Sequence, residues 1–246
     1  MTFKKRFLCA LGFSFLLSAC SSIPKTPVGF QERIVETEKM NFLTWEKEGI
    51  KSKKTLRFYL EGSGKPNPDK PMALLLAEKD QSDNIIVLTR PCQYLKNKVC
   101  TNSDIWQKER YNPEILNEMY ELSLFFIKKY TPSNIEFVAY DDATPIAFYL
   151  AQKYGKAKQI ISVAGVLDIR SYERQNNLDK IKNKDFVNKS FVAATPQIHY
   201  IGSADKIVTR SMTERYITNL YNPKKISIKE VKGMTHDNCH TYKLDY

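Results

Sequence analysis

Three side chains that could carry out a two-step hydrolysis each follow a predicted strand. Asp141 follows the run IEFVAY, Asp205 follows IHYIG after two small residues, and His236 follows ISIKEV through a short glycine-containing turn. A carboxylate can attack carbon, and a histidine oriented by a second carboxylate can then activate water against the resulting ester. The residue types and their order along the chain therefore predict Asp141 as nucleophile, Asp205 as orienting acid and His236 as base.

The turn around Asp141 indicates how this carboxylate would be presented. The apolar run FVA stops at Ala139-Tyr140-Asp141-Asp142-Ala143, and a helix-like run begins directly afterwards. This arrangement resembles the nucleophile elbow of α/β-hydrolases, written G-x-S-x-G, with aspartate in the place of serine. No other hydroxyl residue lies on a predicted elbow, since Ser63 is in a loop, Ser162 in a strand and Thr144 in the first turn of a helix.

Two functions are open for an aspartate at this position. As a nucleophile, Asp141 would make the chain similar to haloalkane dehalogenases and epoxide hydrolases, which use an elbow aspartate. The substrate of this chain would then be a small or lipid-like molecule. Against this, Asp142 would repel negative charge that develops at the site and would hold one of the two acids partly protonated. The alternative is a catalytically inactive pseudo-hydrolase that binds a ligand or serves as an envelope scaffold. Filling of the site by Tyr140 or by residues 168–195 would favour this alternative.

Backbone donors for a developing oxyanion are predicted in the loop FYLEGSG. Gly62 and Ser63 are small enough to let a substrate approach their N–H groups, and the N–H of Asp142 would complete the set. A simple turn after the strand is an equally good explanation of the same residues.

The order of elements predicts an α/β fold. Strand-like and helix-like runs alternate from KTLRFYL through NIIVL, PEILNEMYELSLFFIKKY, IEFVAY, TPIAFYLAQK and QIISV to ISIKEV. Such alternation favours a mostly parallel sheet flanked by helices, here a compact α/β-hydrolase fold. The polar stretch 168–195 could form at most a small lid.

The N-terminus carries a targeting signal. Residues 1–19 combine a basic start with an apolar run too short to span a bilayer, and Leu17-Ser18-Ala19-Cys20 resembles a bacterial lipobox. We therefore expect a lipoprotein signal peptide at 1–19, lipidation of Cys20 with a tether to residue 35, and one domain over 36–246. The serine after Cys20 indicates the outer membrane, with the protein facing the periplasm.

Charge and cysteine content agree with an envelope location. Removing 1–19 lowers the net charge from +11 to about +8, and the scattered lysines fit anionic lipid head groups better than nucleic acid. Cys92 and Cys100 are close enough in sequence to form a disulfide in an oxidising compartment, which leaves Cys239 either buried and inert or exposed and reactive. No metal or other cofactor is predicted, because the three histidines lack ligand spacing.

Further motifs resemble a family of bacterial α/β-hydrolase-fold lipoproteins with E-G-D-G, A-R-P-C-Q-Y and W-x-x-x-R-[FY] segments. Here these segments read Glu61-Gly62-Ser63-Gly64, Arg90-Pro91-Cys92-Gln93-Tyr94 with Cys100, and Trp106 with Arg110-Tyr111. The resemblance extends to His236 and implies the same fold. It departs at the elbow, which is roughly G-Y-S-G-G-G in the family, so the family's ester chemistry does not carry over.

Overall fold

The computed structural model describes residues 23–49, 55–64, 66–82, 84–95, 109–155, 157–178, 180–181, 185–223 and 225–245. The predicted signal peptide, Cys20, Cys100 and Trp106 lie outside these residues. Within the described part of the chain, no helix is long and apolar enough to cross a membrane.

Eight strands form one sheet in the order β1-β2-β4-β3-β5-β6-β7-β8. The strands are β1 Gln31–Glu36, β2 Asn41–Lys47, β3 Thr55–Leu60, β4 Asn84–Leu88, β5 Asn134–Tyr140, β6 Gln159–Val163, β7 Gln197–Gly202 and β8 Ile226–Val231. β2 is antiparallel to both β1 and β4, and every other pair is parallel. The predicted mostly parallel sheet is therefore confirmed.

Helices cover both faces of this sheet. They are α1 Met72–Glu78, α2 Pro113–Tyr130, α3 Thr144–Lys153, α4 Ile169–Gln175, α5 Lys189–Ala194 and α6 Arg210–Thr218. One apolar cluster packs α2 and α3 against the sheet, and a second cluster packs α1 and the C-terminal segment against the opposite face. The central strands are short apolar runs because side chains are buried on both faces of the sheet.

The N-terminal boundary of the domain differs from the prediction. Residues 31–36 form β1 and pair with β2, so that Ile34 lies opposite Leu43, and the Trp45 indole donates a hydrogen bond to Thr26 Oγ1 at 3.2 Å. The predicted tether 20–35 therefore extends too far, and the folded domain begins before residue 36. An edge strand that is exposed at all but one position carries little hydrophobic signal, which explains the error.

The region predicted as a small lid contains two short helices. Among the described residues of 168–195, α4 begins at Ile169 with Asp168 as its cap, and α5 begins at Lys189 with Asn188 as its cap. Both caps accept backbone N–H bonds at the first turn, which is the usual role of Asp and Asn there. No larger cap domain is present in this described stretch.

Candidate active site

Asp141 lies on a sharp turn at the carboxyl end of the central strand β5. Its φ is 51°, a left-handed conformation that is uncommon for a residue other than glycine. Its carbonyl oxygen accepts hydrogen bonds from the Val166 backbone N–H and the Thr144 hydroxyl, both at 3.0 Å. A short 3₁₀ turn over 141–143 then leads into α3. These contacts hold the strained backbone in the geometry of a nucleophile elbow.

The structure brings the three predicted catalytic side chains together. His236 Nε2 is 3.5 Å from Asp141 Oδ1, and His236 Nδ1 is 3.1 Å from Asp205 Oδ2. The other Asp205 oxygen accepts the backbone N–H groups of Ile207 and Val208 at 2.8 and 2.9 Å. Asp205 is thereby fixed by its own loop and can orient the imidazole, as an acid does in a catalytic triad.

The loops that carry Asp205 and His236 approach each other closely. A Cβ placed on Gly202, at the end of β7, would lie 2.1 Å from the Met234 carbonyl oxygen in the loop after β8. Only glycine fits at this position without moving the backbone. On the other side of the histidine, the Tyr140 ring packs against the imidazole with 5.3 Å between ring centroids. The imidazole is thus held between a fixed carboxylate and an aromatic ring.

The protonation of His236 depends on both neighbouring carboxylates. Burial opposes a charge on the imidazole, but the hydrogen bonds and charges of Asp141 and Asp205 outweigh it and raise the pKa of His236 to about 10. Burial, and then the charge of Asp142, raises the pKa of Asp141 above its ordinary value, while His236 opposes this rise. We conclude that near neutral pH the shared proton resides on His236, because two carboxylates flank it.

Asp142 does not act as the free repelling charge that the sequence suggested. Its buried carboxylate lies 3.0 Å from Arg90 and 3.2 Å from Arg110, and it accepts hydrogen bonds from both the backbone N–H and the hydroxyl of Ser63. Two guanidinium groups therefore compensate this charge locally. The prediction that Asp142 disturbs the protonation of its neighbour agrees with the pKa of Asp141, which the charge of Asp142 raises. The sequence did not reveal that two guanidinium groups also pair with this carboxylate.

The predicted oxyanion loop lies beside Asp141, but its donors are occupied. A Cβ on Gly62 would lie 3.4 Å from Asp141 Oδ2, so the two residues are in close contact. However, the Gly62 N–H donates to Glu61 Oε1 at 3.2 Å, and the Ser63 N–H donates to Asp142 Oδ1 at 2.7 Å. These two donors therefore bind the protein's own carboxylates.

Several residues that position the site were not identified as functional from the sequence. Arg90 donates to the Asp142 carboxylate and to the carbonyl oxygens of Glu61 and Asp142, each at 3.0 Å, and the Tyr111 hydroxyl donates to the Asp142 carbonyl at 2.8 Å. Tyr172 on α4 is also near the site, since burial and then the charges of Asp141 and Asp142 raise its pKa. The motif resemblance contained Arg90 and Tyr111 but gave no reason for them.

The remaining histidine and cysteine residues have structural environments. His199 is buried, its Nδ1 is 2.8 Å from Ser162 Oγ, and burial lowers its pKa to about 3. Cys239 is fully buried and unpaired, and burial raises its pKa to about 12, so it is the inert of the two alternatives. Cys92 is disulfide-bonded, although its predicted partner Cys100 is outside the described residues. Within the described ranges, no cluster of His, Cys, Asp or Glu could hold a metal ion.

The chain is similar in structure to known hydrolases. It matches an alpha-beta serine hydrolase homologue from Coxiella burnetii with a TM-score of 0.59 and 11% identity, over 85% of this chain and 89% of that one. It also matches a serine hydrolase without a lid from Xanthomonas campestris, with a TM-score of 0.59 and 7% identity, over 87% of this chain and 88% of that one. The match to carboxyl esterase 2 from Tuber melanosporum has a TM-score of 0.59 and 13% identity, over 93% of this chain and 85% of that one.

Sequence comparison adds no family assignment. No protein-family model and no curated protein matches this chain, so the resemblance to a lipoprotein family remains a prediction. At the identities given above, the structural similarity establishes the fold alone. The protein has the α/β-hydrolase fold.

Proposed function

We propose that this protein is a hydrolase in which Asp141 is the nucleophile and His236 and Asp205 activate water. The observation that carries this proposal is the position of Asp141 at a left-handed elbow, with its carboxylate 3.5 Å from His236 Nε2. The substrate would be a small or lipid-like molecule with an electrophilic carbon and a leaving group, such as a haloalkane or an epoxide.

In the first step, an Asp141 oxygen forms a bond to the substrate carbon while the bond from this carbon to the leaving group breaks. The leaving group departs with the electron pair, or remains attached as the ring-opened oxygen of an epoxide, and an ester of Asp141 is formed. The step requires an ionised Asp141, and the protonated His236 favours that form. Burial raises the pKa of Asp141, and the neighbouring His236 opposes this rise, so the protonated imidazole helps to keep the buried nucleophile ionised.

In the second step, formation of the ester changes the protonation of His236. The negative charge of Asp141 disappears on esterification, which removes one of the two charges that raise the pKa of the imidazole. His236 can then release its proton, to solvent when a halide has left or to the alkoxide of an opened epoxide. The neutral imidazole takes another proton from water, whose oxygen attacks Cγ of the ester. The alkyl oxygen leaves with a proton from His236, and the product alcohol forms. The neutral imidazole then takes the proton of the new Asp141 carboxyl group, which restores the carboxylate facing a protonated His236.

The occupied oxyanion donors favour attack by Asp141 on an alkyl carbon over attack on the carbonyl group of an ester substrate. In an aspartyl ester, the oxyanion of the second step develops on the side chain of Asp141 itself. An external carbonyl group would need free donors, yet the N–H groups of Gly62 and Ser63 are engaged by Glu61 and Asp142. The site therefore suits a nucleophile that contributes its own carbonyl oxygen.

The location of the protein forms part of the same proposal. We infer that the chain is lipidated at Cys20 and faces the periplasm. Catalysis does not require this location, but the location would give access to lipid-like substrates. Support comes from the lipobox-like sequence and from the bonded state of Cys92, which fits an oxidising compartment. Labelling cells with a palmitate analogue, with Cys20→Ala as control, tests this anchor.

The test of the catalytic proposal uses the chain from Ser21 onward, which includes every residue that the structure describes. Wild type, Asp141→Asn and His236→Gln would be incubated with haloalkanes, epoxides and short-chain esters, and intact mass would be recorded. We expect turnover in wild type, a trapped ester in His236→Gln, and neither in Asp141→Asn. The exposed Asp69→Asn serves as the matched control and should behave as wild type.

Isotope labelling shows whether water attacks Cγ of Asp141 or the substrate carbon. After turnover in water enriched in ¹⁸O, a peptide that contains Asp141 should gain the label, because water attacks Cγ rather than the substrate carbon. Label in the product of a single turnover and none in Asp141 would contradict the ester route. Absence of any turnover or adduct in all variants would support the non-catalytic alternative, a ligand-binding pseudo-hydrolase.

A further inference from the structure

A cavity that none of the three proposed catalytic side chains lines is formed where α3, α4, α5 and α6 meet. Its volume is about 510 Å³, which is within the usual range for a site that binds a small molecule. Apolar side chains from these helices and the adjoining loops form much of its lining, among them Phe148, Phe186, Val192 and Leu220. The cavity therefore offers an apolar surface that could bind a hydrocarbon chain.

The charged lining of this cavity is mostly cationic. Of its charged side chains, four are cationic and two are acidic. Arg170 and Asp185 form an ion pair in which Nη2 and Oδ2 are 3.5 Å apart, so their charges offset each other. The other acid, Asp168, accepts hydrogen bonds from the N–H and hydroxyl of Ser171. The cavity thus carries an excess of positive charge beside its apolar surface.

Two arginines of this lining converge on a single acceptor. Arg174 and Arg215 donate to the same Ser171 hydroxyl oxygen, at 3.1 and 3.2 Å. Neither guanidinium forms an ion pair with a carboxylate in the part of the chain that the structure describes. A neighbouring Tyr216, which also lines the cavity, has a buried hydroxyl without a hydrogen-bond partner among those residues. Cationic and neutral donors are therefore available on the same wall.

We propose that this cavity binds an amphiphile with one anionic head group, specifically the carboxylate of an alkyl chain. The planar guanidinium groups of Arg174 and Arg215 match the two oxygens of a carboxylate. The alkyl chain lies against Phe148 and its apolar neighbours, where it is removed from water. Charge complementarity with the cationic lining excludes a cationic amphiphile and disfavours a neutral one.

This binding site is independent of the proposed catalytic residues. None of Asp141, Asp205 and His236 lines the cavity, and α4 provides Arg174 on one part of its surface and Tyr172 near the catalytic carboxylates on another. A failure of the catalytic proposal would therefore leave this site intact. Equally, loss of binding here would say nothing about the role of Asp141.

The test measures decanoate binding by isothermal titration calorimetry at low ionic strength, below the concentration at which decanoate forms micelles. We expect saturable one-to-one binding to wild type and at least tenfold weaker binding to Arg174→Gln/Arg215→Gln. The matched control Lys128→Gln/Lys232→Gln removes the same charge from exposed positions elsewhere and should bind as wild type. Decanol and acetate, which supply only the chain or only the head group, should both bind more weakly than decanoate.

Each alternative has a distinct result that would overturn the proposal. Equal affinity of wild type and Arg174→Gln/Arg215→Gln would exclude the arginine pair, and equal loss in the lysine control would indicate attraction by net charge alone. Decanol that binds as tightly as decanoate would make the anionic head group irrelevant. Loss of decanoate binding in Asp141→Asn, with the arginine variant unaffected, would place the ligand at the elbow instead. Decyltrimethylammonium should not bind, and binding by it would contradict the predicted charge selectivity.

Discussion

Removal of the Asp142 carboxylate should destabilise the protein strongly, because this side chain compensates a buried cation. Asp142 and Arg90 are each only 1% exposed, and their charged groups are 3.0 Å apart. Asp142→Ala leaves Arg90 buried without this partner and also removes the acceptor for the N–H of Ser63. Breaking a buried ion pair from one side costs roughly 3–5 kcal/mol. We expect the free energy of unfolding to fall by about this amount.

Urea denaturation followed by far-UV circular dichroism measures this change at neutral pH. Asp142→Asn retains the shape of the side chain and one acceptor oxygen, so its loss should be smaller than that of Asp142→Ala. The exposed Asp69→Ala is the control and should remain within about 0.5 kcal/mol of wild type. The reasoning would be refuted if Asp142→Ala lost less than about 1 kcal/mol while the slope with denaturant stayed unchanged.

Three further predictions concern buried groups that titrate or react. Nuclear magnetic resonance titration of the imidazole should give a pKa of about 10 for His236, and Asp141→Asn should lower it; an unchanged value would argue against their coupling. Burial raises the pKa of Glu61 to about 7, so the folded state binds this proton more tightly than the unfolded chain does. The free energy of unfolding should therefore decrease by up to about 3 kcal/mol as the pH rises from 4.5 through 7, and Glu61→Gln should lack this component. Cys239 should react with a thiol reagent only after denaturation, and rapid labelling of the folded protein would contradict its burial.

The fold could be predicted from the sequence because its central strands are buried on both faces. Runs such as NIIVL and QIISV are apolar throughout, and they alternate with segments of helical periodicity, so order and class follow directly. The exposed edge strand β1 lacks such a pattern, since its residues other than Val35 face solvent. Its existence depends on backbone pairing with β2, which no short window of sequence reveals.

The positions of the candidate site residues could be predicted from the sequence, but the charges that surround them could not. Order along the chain was sufficient to select Asp141, Asp205 and His236, because parallel strands place their carboxyl ends at one edge of the sheet. The environment of Asp142 was not predictable, because its cationic partners Arg90 and Arg110 come from distant segments. Considered locally, two adjacent aspartates repel each other; in the fold, one of them is compensated by two guanidinium groups.

The environments of the two elbow carboxylates differ in a way that assigns them different roles. Asp142 is bound by two arginines and Ser63, and these contacts hold the loop beside the elbow. Asp141 lies 3.5 Å from His236, and its pKa is raised by burial and by the neighbouring charge of Asp142. Environments that separate the properties of paired carboxylates commonly mark which of them reacts. The different environments of the two carboxylates therefore support the proposal that Asp141, rather than Asp142, is the nucleophile.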